Sequence, residues 1–485
     1  MRVFYSLLLI TWGLLPSEAQ AKPKDYLQQC WSQQGQPLAT GYLTFRYQET
    51  ANELEHSQYP WQPTRYDKHG TAWLNAGNFL RQDTLTQDGK TYSSKSQLSP
   101  EELLLLDYGD KELLAVTPAR FAGYVLTTAR YSPVLLLQYF VQHPAAVTRS
   151  AEPGLAVYSA PVADARVRLF IRQADGLLDH ATVLQPDELF GDVLTTYTYQ
   201  SYARTGKVRY PTTIGISKLN GRIRDDVRLS AAGIVPGASP VLSRPEGYQM
   251  RAVSPSIPPI AVQTYSPHLH FLELKHTDDR VLVVEFNDFL VVAEAPLTSE
   301  NGEAILAETR RLAPGKPVRY FVAGHYHPHY LGGLRPFVRQ GATILCGPGT
   351  ADYVRTLAGA PRTLRPDSLH LRPRPLQVEE VTSSKTITDG RFEMQIHFIG
   401  ASSAHTNDYL VYYFPSEKLL FEDDLVWIRR EGPPRKASAR QAGLYQAVRA
   451  LNLDVQTVVQ SWPVADYGVK TIIPFSDIEQ AMQVK

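Results

Sequence analysis

A short apolar run, Tyr320, Phe321, Val322 and Ala323, stops at Gly324 and is followed by a histidine at every second position, His325, His327 and His329. Gly332 and Gly333 then open what reads as a helix through Leu334, Phe337 and Val338. Alternate residues on an extended segment point the same way, so a turn just past a strand end can aim two or three imidazoles at one point. Imidazole is the commonest metal ligand among side chains and it suits zinc. A second element matches the first. An apolar strand ends at Phe398-Ile399-Gly400, His405 follows, and after another strand comes Phe421-Glu422-Asp423-Asp424. A histidine at one strand end and an aspartate at the next can meet His325 and His327 at a shared sheet edge.

The rest of the chain divides around residues 254–259, Ser-Pro-Ser-Ile-Pro-Pro, where three prolines exclude a central strand or a helix interior. Before this point the pattern is strand after strand. Leu43, Phe45 and Tyr47 alternate with Thr44, Arg46 and Gln48, and Val167, Leu169 and Ile171 alternate with arginines. Thr205-Gly206 and Asn220-Gly221 mark turns. Two helices are expected in this part, one opened by Ser99-Pro100-Glu101-Glu102 and continuing through residues 103–106, the other by Ser132-Pro133. The expectation is an antiparallel β-rich domain with a few helices, spanning residues 22–253. It resembles in outline the curled half-barrel of periplasmic lipoprotein carriers. After a linker at 254–262, strands and helices interleave over residues 263–485, as in sheet layers covered by helices. Near the end, residues 437–451 and 476–484 read as helices, the latter with Ser476 and Glu479 as a capping box. The fold class is α+β.

A chain of 485 residues is too long for one ordinary domain, in agreement with this division. Lys and Arg number 49 against 48 Asp and Glu, a balance that gives no support for a nucleic-acid partner or a charged membrane surface. Residues 1–21 read as a secretory signal peptide, with Arg2, an apolar core at 3–15 and Ala19-Gln20-Ala21 for cleavage. The mature protein is therefore expected to be exported, periplasmic or secreted, with no integral membrane segment. The two cysteines, Cys30 and Cys346, fall in different expected domains, and Cys346 ends an apolar run, which reads as a buried free thiol. Residues 362–374, rich in arginine and broken by prolines, read as a solvated loop.

From about residue 266 to 474, roughly two-fifths of the chain, the pattern resembles a metallo-β-lactamase-fold hydrolase. The signature of that superfamily is His-x-His-x-Asp-His after a strand, then a later His, an Asp that bridges two metals, and a final His. The resemblance implies a four-layer αββα sandwich with the metals at one edge. His325 and His327 match the first two ligands and His405 the third. Asp424 matches the bridging aspartate in preference to Asp423, and Gly332 and Gly333 match a Gly-Gly that follows the signature. Residues 291–296 resemble the strand and loop that floor the site in one exported branch, and Glu294 there reads as a structural hydrogen-bond acceptor. Three departures all fall on the second metal site. His329 stands in place of the aspartate, Tyr330 in place of the next histidine, and residues 458–463 carry no histidine.

The resemblance thus implies one zinc ion held by three imidazoles, activating a water against an ester- or amide-type small-molecule substrate. Asp424 either orients or deprotonates that water or is a fourth ligand. His329 is a candidate base, and Tyr330 a candidate donor to a developing oxyanion, with simple packing as its plainer role. The competing reading is an inactive pseudo-enzyme that binds or scaffolds, with the N-terminal domain taking a hydrophobic ligand. The sequence names no protein partner.

Overall fold

The computed structural model describes residues 25–484, apart from 55–56, 76, 88, 107–110, 116, 249 and 252–256. The signal-peptide segment and the first part of the linker, 254–256, lie outside the described residues. Residues 257–260 run without regular structure into the strand Ala261–Thr264.

The alternating strands of the first half build one sheet of fourteen strands, antiparallel except where the short strand Met250–Arg251 pairs with Lys111–Ala115. Its centre is the pairing of Gly41–Glu53 with both Thr64–Leu74 and Ile223–Pro236, which brings an early and a late strand side by side. Leu43, Phe45 and Tyr47 point inward, as do Val167, Leu169 and Ile171, while the arginines at 166 and 168 face solvent. Asn220 and Gly221 take positive φ, the left-handed turn that their residue types favour.

Three helices, Tyr26–Gln34, Pro118–Thr128 and Val134–Gln142, pack on that inner face in one continuous apolar core. Strands Lys90–Leu98 and Leu155–Val162 bound a run of ten strands in the sheet order. Laid flat, ten strands at about 4.8 Å would span roughly 43 Å. Yet Pro100, just past the first strand, and Pro161, in the last, line one recess of about 560 Å³ with Phe121, Val125 and Leu135. The sheet therefore curls around its helices.

One expectation fails here. Glu102–Leu106 is a strand, paired with Lys90–Leu98, and not a helix. Ser99 does cap locally, its Oγ accepting from the N–H groups of Glu101 and Glu102. Pairing of the leucine run on both sides, with Lys90–Leu98 and Lys111–Ala115, outweighs the helical start signal. Near the C-terminus the last helix is Phe475–Gln483, with Pro474 at its N-cap, so Ser476 lies inside the first turn and caps nothing.

The second half has two sheets. The seven-stranded one begins as an antiparallel meander, Ala261–Thr264, Leu269–Leu274, Asp279–Glu285 and Leu290–Ala293. It continues in parallel through Val318–Val322, Thr343–Cys346 and Gln377–Glu380. The six-stranded sheet runs Ser384–Thr388, Glu393–Phe398, Leu410–Phe414, Leu419–Glu422, Thr457–Gln460 and Ile472–Pro474. Side chains of successive residues serve opposite faces: Val322 enters an apolar layer shared by both sheets, and Phe321 packs outward under helices. Helices Ser299–Leu312, Arg335–Gln340 and Ala351–Gly359 cover the outer face of the first sheet. Helices Ala439–Ala450 and Phe475–Gln483 cover the outer face of the second. Among the described residues no helix is long and apolar enough to cross a membrane. Cys30 and Cys346 are both buried free thiols, and burial pushes each up to about 12.

The two halves touch. The Asp192 carboxylate accepts from Thr363 N–H at 2.7 Å and from its hydroxyl at 2.6 Å. Trp61 meets Tyr353 edge-on with ring centres 4.8 Å apart. Arg362, expected in a solvated loop, is instead buried at this junction and donates to the carbonyl of Glu188.

Candidate metal centre

Strand Val318–Val322 ends in a turn that carries Gly324, His325 and His327, and the chain then enters a single helical turn, Pro328–Leu331. Gly324 has no side chain for a close reason: a Cβ there would meet the Asp423 carboxylate at 2.1 Å. Its N–H donates to the buried Glu294, which also accepts from the Tyr412 hydroxyl at 2.6 Å. Glu294 is thus a structural acceptor that pins the turn. Burial raises its carboxyl to about 8 despite those bonds, and it faces Asp423, whose own carboxyl is raised by burial first and by the nearby Glu294, Asp424 and Glu422 next.

His325 and Asp423 are both fully buried, with Nδ1 2.7 Å from Oδ2. Asp423 there fixes the ring orientation and keeps Nε2 facing the site. That Nε2 lies 2.9 Å from His327 Nδ1. Burial drives His325 toward its neutral form, and the neighbouring His327 and His405 push the same way. Neutral imidazole is the form that binds a metal.

His405 arrives from the other sheet, after strand Glu393–Phe398 and the turn Gly400–Ser403. Its ring centre is 4.9 Å from those of both His325 and His327. One nitrogen from each of the three rings lies within 4.8 Å of the others. Nitrogens about 2.05 Å from a tetrahedral zinc are roughly 3.3 Å apart, so small side-chain rotations suffice to seat one. His405 Nε2 is buried without an in-line hydrogen bond, although Asp424 Oδ2 is 3.1 Å away. The donor set and the spacing of its nitrogens fit a zinc ion.

Asp424 follows strand Leu419–Glu422 and lies between His405 and Arg440, whose Nη1 is 3.2 Å off. Burial alone would raise its carboxyl; contact with His405 and Arg440 outweighs this and holds it below the ordinary range. Asp423 and Asp424 thus serve different histidines, with the Tyr409 hydroxyl accepting from both their backbone N–H groups.

His329 is not part of the cluster. The helical turn after His327 breaks the extended alternation, and His329 Nδ1 instead lies 3.0 Å from Asp279, a fully buried carboxylate at the start of strand Asp279–Glu285. Tyr330 is buried and packs on His325 with ring centres 4.3 Å apart. Both still line one cavity of about 330 Å³, together with His327, His405, Asp424, Leu297, Arg440 and Trp462.

No family model and no curated protein matches the chain. Solved structures do. The metallo-β-lactamase from Pontibacter korlensis is 18% identical, with 47% of this chain and 98% of that one covered, at a TM-score of 0.35. About half of the chain is similar to solved metallo-β-lactamases. The metallo-β-lactamase FIM-1 from Pseudomonas aeruginosa, solved in a mono-zinc form, gives 16% identity, 47% and 96% coverage and a TM-score of 0.35. The inverting sec-alkylsulfatase Pisa1 from a Pseudomonas species gives 15% identity, 46% and 40% coverage and a TM-score of 0.32.

Sequence reasoning missed several residues around this site. Arg440 sits in the first turn of an ordinary surface helix and carries no signal. Asp279 is one of two adjacent aspartates at a strand start, and nothing in the sequence marks it as the partner of His329. Trp462 was legible only as part of a segment without histidine.

Proposed function

We propose that the chain is a metal-dependent hydrolase of a small ester- or amide-type substrate, with one zinc ion held by His325, His327 and His405. The observation that carries this reading is the convergence of three imidazoles from two sheets, with one nitrogen of each within 4.8 Å of the others. The layering, read as an αββα sandwich, supports it by putting both ligand-bearing strand ends at one edge. When bound, zinc supplies a Lewis acid at the floor of the cavity.

The surrounding side chains then have distinct tasks. Asp424, kept ionised by His405 and Arg440, is the acceptor for a proton from water in the cavity. His329, with Asp279 behind its Nδ1, stands at the partly exposed wall, where in its protonated form it can give its own proton to a leaving group and be reprotonated from solvent, while Asp424 returns the proton it took to solvent. The Tyr330 phenol, held far above its ordinary value by burial and next by Asp424, stays protonated and acts only as a hydrogen-bond donor. We place the protein outside the cytoplasm, on the strength of residues 1–21.

The test is elemental analysis of the full chain after incubation with zinc, beside a His405→Ala variant. About one equivalent in the parent and much less in the variant, with hydrolysis of an ester, lactam or phosphodiester probe lost in parallel, is the expected result. No zinc in the parent would remove the hydrolase reading.

A further inference from the structure

One loop of the N-terminal sheet, between strands Gly41–Glu53 and Thr64–Leu74, enters the metal centre from behind. The Ser57 carbonyl accepts from the Tyr326 hydroxyl at 2.7 Å, and the Ser57 hydroxyl pairs with the same group. That carbonyl also lies 3.4 Å from His327 Nε2, at the long end of a hydrogen bond. The next residue, Gln58, accepts from Asn407 N–H at 2.9 Å through its backbone and from the Asn407 amide at 3.4 Å through its side chain. Two successive residues of one domain therefore brace both ligand segments of the other, at 326–327 and at 407. Ser57 and Tyr326 are buried, so the bonds between them are shielded from water.

The consequence falls on His327. A carbonyl oxygen only accepts, so the ring nitrogen facing it carries the hydrogen, which leaves Nδ1 with the lone pair, accepting from His325 Nε2–H until a metal replaces that hydrogen. We infer that the N-terminal domain is a positioning element for the metal ligands: the Ser57–Gln58 tip sets the tautomer and orientation of His327 and the seat of His405. The metal side of this inference rests on the proposed zinc site, and the contact itself does not. It gives the large sheet a role in the chemistry without lending it a catalytic residue.

The experiment uses the full chain and Tyr326→Phe, which removes the hydroxyl bridging to Ser57 and leaves every histidine in place, with Asn407→Ala as a second variant on the other segment. Zinc affinity is read by competition with a chromophoric chelator, and the His327 tautomer by nitrogen-15 NMR of histidine-labelled, zinc-free protein. Loss of such outer partners weakens metal binding by roughly 10–100-fold, and that range is expected for Tyr326→Phe. The zinc-free parent is expected to show the Nε2–H form of His327, and the variant a mixture. An Nδ1–H form in the zinc-free parent, or parental tautomer and zinc affinity in both variants, would overturn the inference. A parent that binds no zinc yet shows the Nε2–H form would overturn the hydrolase reading and the metal-positioning role while confirming the contact. A purely structural role would lower thermal stability without moving the tautomer.

Discussion

Asp423 Oδ2 lies 2.7 Å from His325 Nδ1, and neither side chain reaches solvent. The pair is a carboxylate behind a ligand histidine. Asp423→Asn keeps the shape but replaces one acceptor oxygen with a donor, which lets the ring settle in either tautomer. Zinc affinity is expected to fall about 10–100-fold, measured by chelator competition. An unchanged affinity would mean that Glu294, not Asp423, carries the local charge.

Gly324→Ala tests the same contact from the backbone side. A Cβ would meet the Asp423 carboxylate at 2.1 Å, and that carboxylate is enclosed by His325 and Glu294. Overpacking of this kind costs about 1–3 kcal/mol, to be read as a lower urea midpoint with an unchanged slope.

Arg440 gives the cavity a positive wall beside Asp424. Given the proposed activity, Arg440→Gln is expected to lower kcat/KM for a substrate bearing a carboxylate by roughly tenfold relative to a neutral analogue, the scale of one lost charge-assisted hydrogen bond in a half-open site. Equal loss on both substrates would assign Arg440 to holding Asp424 instead.

Away from the cavity, Arg335 binds Asp367 through two nitrogens, at 2.5 and 3.0 Å. Burial alone would raise the Asp367 carboxyl; the bonds from Arg335, the His370 N–H and Ser299 outweigh it and hold it at about 2, against an ordinary 3.8. The folded value lies below the unfolded one, so the stabilisation is complete above about pH 4 and is lost as pH falls through about 2. It amounts to about 2 kcal/mol. Asp367→Asn should be destabilised by at least that much at pH 7 in urea unfolding, with the gap to the parent closing toward pH 2.

What the sequence showed and hid follows from the range of the forces involved. Alternation at Leu43, Phe45 and Tyr47 was readable because each residue reports its own face. His325 and His327 were readable because they follow a strand end at once. That His329 would stand apart from the other two imidazoles was not readable, because a four-residue helical turn opened by Pro328 rotates it toward Asp279. The leucines at 103–106 became a strand through a partner that the local pattern does not contain. Arg362 lies among prolines and looks solvated, yet the other half of the protein covers it. Ser57, 270 positions before His327, had no means of announcing itself.

The ligand histidines hang from two different sheets, and the apolar layer between those sheets, together with polar ties such as Leu410 N–H to the Gly324 carbonyl, fixes one against the other. A slip of a single strand residue, about 3.3 Å, would be as large as the spacing between nitrogens around a zinc ion. The grip on a cation is therefore set in part by side chains with no polar atom, such as Val322, Leu345, Leu410 and Phe421, whose interlocking shapes forbid the slide. Loosening that layer would spoil the centre without touching any residue that faces it.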